Sequence, residues 1–421
     1  MIETNLHAGF PSHKQTQIEP DPKRSAMKRS ATAGLMRRLN RSAILDAIRE
    51  HSPIARSEIA RKLNISMPTV MRVIDDLVAE DLVRWSGNSE TSGGRPRTLL
   101  EFNRQGYAVV GLDLGGTKMY GTVADLGGNI QDEVYVTWKH GDSQDSLQRV
   151  YELIAELLSR PRPDGQQVRG IGVGAPGVTL SEEGIVSWAP SLGWRDLPLK
   201  AMLKERFGLP VVVENDVNLA ALGEYGFGAG KGASSLVCLA VGTGIGAGIV
   251  IDRKIHRGFN ESAGEIGYLP PAASFLGRRY DQYGALEEQA SGTGIERRAT
   301  ELFQQQGWPL PTEGLSAERV FSAARSGEAW ARQIVEETVD YLALAIAAIS
   351  AILDPQVIVL GGGVARSADL LIEPILSRLD GVLATRTNLV QSSLGYRAAV
   401  MGAIMLVLDT TTEYVSLMNP A

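Results

Sequence analysis

Three glycine clusters, each closing an apolar strand-like run, constrain the fold of this chain more than any other feature. The first is Val109-Val-Gly-Leu-Asp-Leu-Gly-Gly-Thr-Lys118, followed by a second apolar stretch, Tyr120–Asp125. The same order of strand, glycine turn and strand returns in Leu239-Ala-Val-Gly-Thr-Gly-Ile-Gly-Ala-Gly248. The third cluster, Gly361-Gly-Gly363, ends the run Val357–Leu360. Without a Cβ in the way, backbone N–H groups in such turns can approach phosphate oxygens and form an anion-binding concavity. A single glycine turn is commonplace in hairpins. Three in this order point to a nucleotide-type cleft in a body with a duplicated lobe. Neither GxxxxGK[ST] nor GxGxxG occurs where a Walker A or Rossmann site needs it. The candidate nucleotide-binding residues are Asp113, Gly115, Gly116, Thr117 and Lys118, then Gly242, Thr243 and Gly244, then Gly361, Gly362 and Gly363. Asp113 is placed to hold a hydrated magnesium ion, and the last three glycines to carry an adenine ring.

From Asn103 onward, strand and helix signals alternate. Besides the runs above, Gly170–Gly174, Val211–Glu214 and Ala247–Ile251 read as strands. Asp145–Leu158, Val217–Gly226, Ala329–Leu353 and Arg397–Leu408 read as helices, so residues 107–421 predict an α/β body. Between the first two glycine clusters lies Val213-Glu-Asn-Asp-Val-Asn218. A carboxylate just past a buried strand, Asp216, suits removal of a proton from a sugar hydroxyl, although phosphoryl transfer depends more on positioning than on a base. Asn215 offers an amide to neighbouring hydroxyls. Asp216 serves equally well as the N-cap of the helix that follows.

The front of the chain has another character. Residues 1–104 hold 17 Lys and Arg against 12 Asp and Glu, whereas the remainder holds 25 against 36. A basic front on an acidic body suits a nucleic-acid-binding module joined to something that is not one. Residues 1–34 show no periodicity and are expected to be a disordered tail. From Leu39 the spacing of Ile44, Leu45 and Ile48 predicts a helix, and Ser57–Leu63 a second. After the turn at Asn64-Ile65, Ser66 is a plausible N-cap for a third, Met67–Glu80, with Val70, Val73, Ile74 and Leu77 facing inward. Leu82–Trp85 and Thr98–Phe102 read as a hairpin around the Gly-rich loop Ser86–Pro96. Three helices and a hairpin over residues 35–103 make a winged helix-turn-helix. Its third helix would enter the major groove of DNA with Ser66, Met67, Thr69 and Arg72. Arg95 and Arg97 on the wing would reach the minor groove.

Composition narrows the rest. The one cysteine, Cys238, allows no intrachain disulfide and no Cys-based zinc cluster. No apolar run reaches the ~18 residues that a membrane span needs, and the N-terminal stretch lacks a signal peptide's apolar core. A cytoplasmic protein is expected.

These features together resemble the ROK family (repressors, open reading frames, kinases), in its regulator branch with a fused winged helix. The resemblance rests on Leu112–Lys118, Gly174-Ala-Pro-Gly177, Glu214-Asn-Asp-Val-Asn218 and Ala263-Gly-Glu-Ile-Gly267. It implies an actin-like, two-lobed body of the sugar kinase and hsp70 type. It also implies a sugar pocket lined by Asn215, Asp216, Glu265 and Glu287, and a homodimer or homotetramer. The chain departs from the family where many members bind zinc. Tyr268 stands at the histidine ligand, and Arg278, Tyr280 and Ala285 at the three cysteines. Arginine and alanine cannot ligate zinc and a phenol is a poor substitute, so no zinc is expected; packing of Tyr268 on Tyr280 would order the segment instead. Tyr268 thereby joins the sugar-site candidates, as does Ser191, which stands where the family often has asparagine. The function implied is a sugar-responsive DNA-binding regulator, a repressor of carbohydrate-metabolism genes with DNA and a small sugar as partners. The alternative is an ATP-dependent sugar kinase with Asp216 as base, for which ATP and magnesium would be needed; the regulator requires no cofactor.

Overall fold

A computed structural model of the chain describes residues 22–88, 98–116, 118–137, 143–163, 165–280 and 284–412. The N-terminal module consists of α1 (Pro22–His51), β1 (Ile54–Ala55), α2 (Arg56–Leu63), α3 (Met67–Ala79), β2 (Val83–Asn88) and β3 (Thr98–Phe102). The strands pair in the order β1-β3-β2. Ile44, Leu45 and Ile48 of α1, Ile59 of α2, and Val70, Val73, Ile74 and Leu77 of α3 close its core at helical spacing. Asn64 ends α2 in the left-handed conformation, which asparagine tolerates, and so turns the chain toward α3. The expectation of a structureless tail through residue 34 fails from Pro22, where α1 begins. Its early sequence lacks an apolar stripe but is rich in Lys, Arg, Ala and Met, all strong helix formers, and proline is tolerated in a first turn.

The body is built on two five-stranded sheets. Lobe one contains β4 (Tyr107–Leu114), β5 (Lys118–Asp125), β6 (Ile130–Thr137), α4 (Ser143–Ser159) and β7 (Gln167–Ala175). It continues with the side sheet β8 (Val178–Leu180), β9 (Ile185–Ala189) and β10 (Trp194–Leu197), then α5 (Leu199–Phe207) and β11 (Val211–Asn215). Helix α6 (Asp216–Phe227) crosses to lobe two: β12 (Ser235–Val241), β13 (Ile245–Ile251), β14 (Lys254–Ile255), α7 (Glu287–Ala290), α8 (Gly292–Gln305), α9 (Ala317–Arg325), α10 (Ala329–Leu353), β15 (Val357–Gly361), α11 (Ile372–Leu379) and β16 (Leu389–Gln391). Helix α12 (Ala398–Thr411) returns to lobe one. The sheet orders are β6-β5-β4-β7-β11 and β14-β13-β12-β15-β16. In each, the central strand pairs antiparallel across a glycine turn (β4 with β5, β12 with β13) and parallel on its other side (β7, β15). The duplicated lobe expected from the glycine clusters is therefore present as topology.

Small residues bring the two connecting helices close to the sheets and to each other. A methyl group on Gly248 of β13 would fall 2.4 Å from the Val217 carbonyl oxygen of α6, and one on Gly172 of β7 2.8 Å from Ala403 Cβ of α12. Where α6 and α12 cross, a methyl on Gly402 would lie 1.9 Å from the Leu219 carbonyl oxygen, and one on Gly223 2.1 Å from that of Ala398. The lobes thus meet backbone on backbone. Among the described residues, no helix is long and apolar enough to cross a membrane.

Candidate functional site

The apolar residues Val211 and Val213 bury β11 and carry Glu214, Asn215 and Asp216 to its end. Asn215 caps α6: its side-chain oxygen accepts from the N–H groups of Val217 at 2.9 Å and Asn218 at 3.0 Å, and its amide donates to the Gly177 carbonyl at 2.9 Å. The cap is therefore Asn215 and not Asp216, because Asn215 holds the extended backbone that a capping residue needs. With the cap supplied, Asp216 is the first helical residue, and its carboxylate accepts from the Val217 N–H.

Asp216 is half-buried, and desolvation there, reinforced by the charge of Asp113, pushes its carboxyl up to about 8. Burial likewise raises Asp113 to about 6, against the pull of Lys118. Glu265, from lobe two, adds to the rise at Asp216. Although Glu265 is exposed as a residue, desolvation and then Glu287 raise its own carboxyl. Tyr268 is raised by desolvation, then by Glu265 and Glu287. Asp113, Asp216, Glu265, Glu287 and Tyr268 thus form a run of electrostatic neighbours contributed by both lobes. A run of carboxyl groups from both lobes is an acceptor-rich surface for the hydroxyls of a neutral polyol.

The glycine turns frame this run. In lobe one the Gly115 N–H donates to the Lys118 carbonyl at 2.8 Å. A methyl on Gly116 would lie 2.7 Å from Ser191 Cβ, so Ser191 rests on the first turn. Thr117 lies outside the described residues. In lobe two the Gly242 N–H donates to the Gly244 carbonyl at 2.9 Å, and the Gly292 N–H, at the start of α8, donates to the Gly242 carbonyl at 2.7 Å. The carbonyl of Thr243 accepts from the Thr293 hydroxyl. Glu287 accepts from the N–H groups of Ile245 at 2.8 Å and Gly284 at 2.7 Å. It thereby fixes the second turn. Gly362, at φ 84°, abuts the Val241 carbonyl, which sets the third cluster beside the second; Gly361 packs near Cys238 Sγ, and Gly242 and Gly363 face open space.

One contact escaped the sequence reading. The Arg257 guanidinium, in the segment after β14, donates to the buried carboxylate of Glu214 from Nη2 at 2.6 Å and Nε at 2.8 Å. The pair ties β11 of lobe one to lobe two directly behind Asn215 and Asp216. An acid in a buried strand demands a partner, but nothing local says which residue it is.

In the segment that departs from the family's zinc site, Tyr268 is exposed, Arg278 stacks 4.9 Å over Phe275, and Ala285 is buried. The Tyr280 hydroxyl is buried without a hydrogen-bond partner among the described residues. The expected packing of Tyr268 on Tyr280 is not among the ring contacts of the described residues. The segment is ordered by backbone instead. Gly284 lies against Gly267 and Tyr268, where a methyl would fall 2.2 Å from the Gly267 carbonyl oxygen, and the Leu286 N–H donates to that carbonyl at 2.9 Å.

On the N-terminal module, α3 presents Met67 and Arg72 outward, with Ser66 exposed at its cap and Thr69 half-buried. Ser66 has the extended backbone of an N-cap, but its hydroxyl bonds the Thr69 hydroxyl at 2.9 Å and caps no N–H. Met71, exposed beside Arg72, was missed because it breaks no pattern. Arg56 stacks 5.0 Å over Trp85 at the base of the wing. Arg95 and Arg97 lie outside the described residues.

Comparison with known proteins places these features in context. The model of the ROK family matches residues 109–410, and one described as winged helix-turn-helix DNA-binding matches residues 37–84. The xylose repressor of Caldicellulosiruptor bescii is 29% identical over 395 residues, covering 90% of this chain and 98% of the relative. A glucokinase of Halalkalibacterium halodurans is 36% identical over 303 residues, covering 70% of this chain and 90% of the relative. Among solved structures, a ROK family transcriptional regulator, described as a homologue of the E. coli MLC protein, superposes with a TM-score of 0.78. It is 26% identical and covers 90% of this chain and 99% of its own.

Proposed function

Since this chain belongs to the ROK family and carries a DNA-binding winged helix in front of the family's two-lobed body, we propose that it is a sugar-responsive repressor of carbohydrate-metabolism genes. The observation that carries this reading is coverage. The regulators match front and body together, over 90% of the chain, whereas the glucokinase match spans 70%. In the cleft, sugar hydroxyls donate to the carboxyls of Asp216, Glu265 and Glu287, with the Tyr268 hydroxyl and Ser191 shaping the rest of the pocket. Arg72 and the start of α3 read the major groove, and Arg95 and Arg97 reach the minor groove. A homodimer or homotetramer presents two such modules to a two-fold operator. Binding of sugar and of DNA are coupled reciprocally, because each shifts the same equilibrium between lobe arrangements. The relative's name makes xylose the first sugar to test.

A second reading, an ATP-dependent sugar kinase, is favoured by the pairing of Asp113 with Asp216 and by the open faces of Gly242 and Gly363. Asp113 would hold magnesium, which when bound neutralises phosphate charge, and Asp216 would be the base. Two measurements separate the readings: fluorescence anisotropy on a DNA fragment from upstream of the chain's own coding sequence, with xylose and glucose, and ADP release with ATP, magnesium and the same sugars. DNA binding that one sugar changes, without turnover, is expected. Turnover near ~10 per second with no affinity for that DNA would instead establish the kinase.

A further inference from the structure

The DNA-binding module is attached to the body by two chemically different contacts. Toward lobe one the contact is mainly apolar, with polar and charged groups at its edge: Ile44, Leu45 and Ile48 of α1 share a buried cluster with Val109 of β4, Leu126, and Ile404, Val407 and Leu408 of α12. Arg169 of β7 supports that side, donating to the Thr411 hydroxyl and carbonyl at 2.9 Å each and lying 3.7 Å from Glu80 beyond α3. Toward lobe two the contact is ionic. Arg253, in the turn between β13 and β14, places Nη2 3.1 Å from Asp46 and Nη1 3.7 Å from Glu50, both on α1. Asp409, half-buried near the end of α12, has Arg49, Arg253 and Asp46 as electrostatic neighbours, and Tyr225 of α6 neighbours Arg253 and Asp46 as well. The DNA module, lobe two and both connecting helices therefore converge on one cluster of charge.

The backbone at Arg253 is an independent observation. Asp252 and Arg253 form a two-residue hairpin turn between the paired Ile251 and Lys254, with φ of 48° and 65°. Positive φ at both positions is the geometry that Asn-Gly or Asp-Gly supplies without strain. The turn gains nothing from an arginine there, so the compensation lies in what the side chain reaches. The α6–α12 crossing brings the two backbones together at Gly223 and Gly402, beside a small apolar cluster of Leu219, Ala399 and Ala403, and packed helices can slide past one another in a shear of lobe two against lobe one.

We infer that Arg253 is the contact through which lobe two steers the DNA-binding module, so that a sugar drawing the lobes together shifts α1 through its ionic tether and not through its apolar seat. The inference rests on the repressor reading above. Arg253→Gly tests it, since glycine relaxes the turn and only the side chain is lost. Three measurements are made on the full chain: xylose and glucose binding by calorimetry, anisotropy on the upstream DNA fragment with and without each sugar, and thermal unfolding. The variant is expected to fold and to keep its sugar affinity within about twofold. The sugar-induced change in DNA affinity should fall from roughly tenfold, inside the usual range for coupled sites, to less than about twofold. Asp46→Asn combined with Glu50→Gln should reproduce the loss from the other end of the tether. A sugar response of full size in Arg253→Gly overturns the inference and leaves the repressor reading standing. A wild-type chain that binds the DNA but answers to neither sugar, or does not bind it at all, counts against both.

Discussion

Lobe one and lobe two share a strand order but hold their glycine turns in different ways. In lobe one the turn closes on itself, from Gly115 to Lys118, and leans on Ser191. In lobe two it is pinned from outside, by Glu287 on Ile245 and by Gly292 on Gly242. The strands behind the turns differ too. Lobe one places Asp113 on β4, two residues before Gly115, whereas lobe two has Ala240 at the corresponding point of β12. Lobe one therefore brings its charge into the cleft on the sheet itself, and lobe two delivers Glu265 and Glu287 from later segments. A duplicated scaffold has been divided into one half that holds charge and one half whose turn depends on a distant carboxylate.

The largest effect is expected where the two halves meet. Gly402→Val would drive a branched side chain into the Leu219 carbonyl and force α6 from α12. Overpacking and loss of the close crossing should cost about 3 kcal/mol or more, read from denaturant unfolding. A loss under about 1 kcal/mol would mean that the helices are already parted in solution, and the lobes would then be independent units. Next comes the pin in lobe two. Glu287→Ala leaves the N–H groups of Ile245 and Gly284 without their acceptor, at a cost of about 2 kcal/mol, and sugar affinity should fall with it. If the variant unfolds like wild type while losing the sugar, Glu287 acts on the ligand alone and the second turn needs no pin.

How far this division could be foreseen depends on range along the chain. The glycine turns and the strands around them were legible because their pattern is local and periodic. Ala329–Leu353 was predicted and found with the same ends, since its apolar spacing is sustained over 25 residues. The side sheet β8–β10 was not seen, its strands being three to five residues long. Edge strand β6 was also missed, because its alternating half-exposed residues make no apolar run. Within the site, Asp113, Asp216 and Glu265 stood out by residue type and motif. The Glu214–Arg257 pair, 43 residues apart in sequence, left no local sign. The cap expected of Asp216 falls to Asn215, whose backbone is extended, and the Ser66 hydroxyl turns to Thr69; backbone angles and rotamers decide between neighbouring acceptors and spacing cannot.

The charge carried by lobe one makes the next prediction one of pH. Asp216 is held at about 8, and a sugar hydroxyl donates more strongly to a carboxylate than to a carboxylic acid. Affinity for a sugar should therefore climb about tenfold between pH 7 and pH 9, measured by calorimetry, and Asp216→Asn should flatten the profile. Stability runs the other way. The folded chain holds this proton above the unfolded value of 3.8, so the contribution is fully present below that value and is lost as pH rises through about 8. An affinity that is flat with pH in the wild type would place the sugar on lobe two's carboxyls and leave lobe one's charge without a role in binding.

The smallest expected effect tests whether the first turn is free of an outside pin. Ser191 touches Gly116 so closely that no methyl fits between them, yet it makes no hydrogen bond to the turn among the described residues. If it only bounds the pocket, Ser191→Asn should retune sugar affinity by about threefold and leave stability within ~0.5 kcal/mol, because the longer amide projects toward the cleft and breaks nothing behind it. Calorimetry and thermal unfolding on the same sample read both quantities. A melting temperature that falls by several degrees would show that Ser191 wedges the first turn in place as Glu287 pins the second. The contrast between the lobes would then shrink to the single exchange of Asp113 for Ala240.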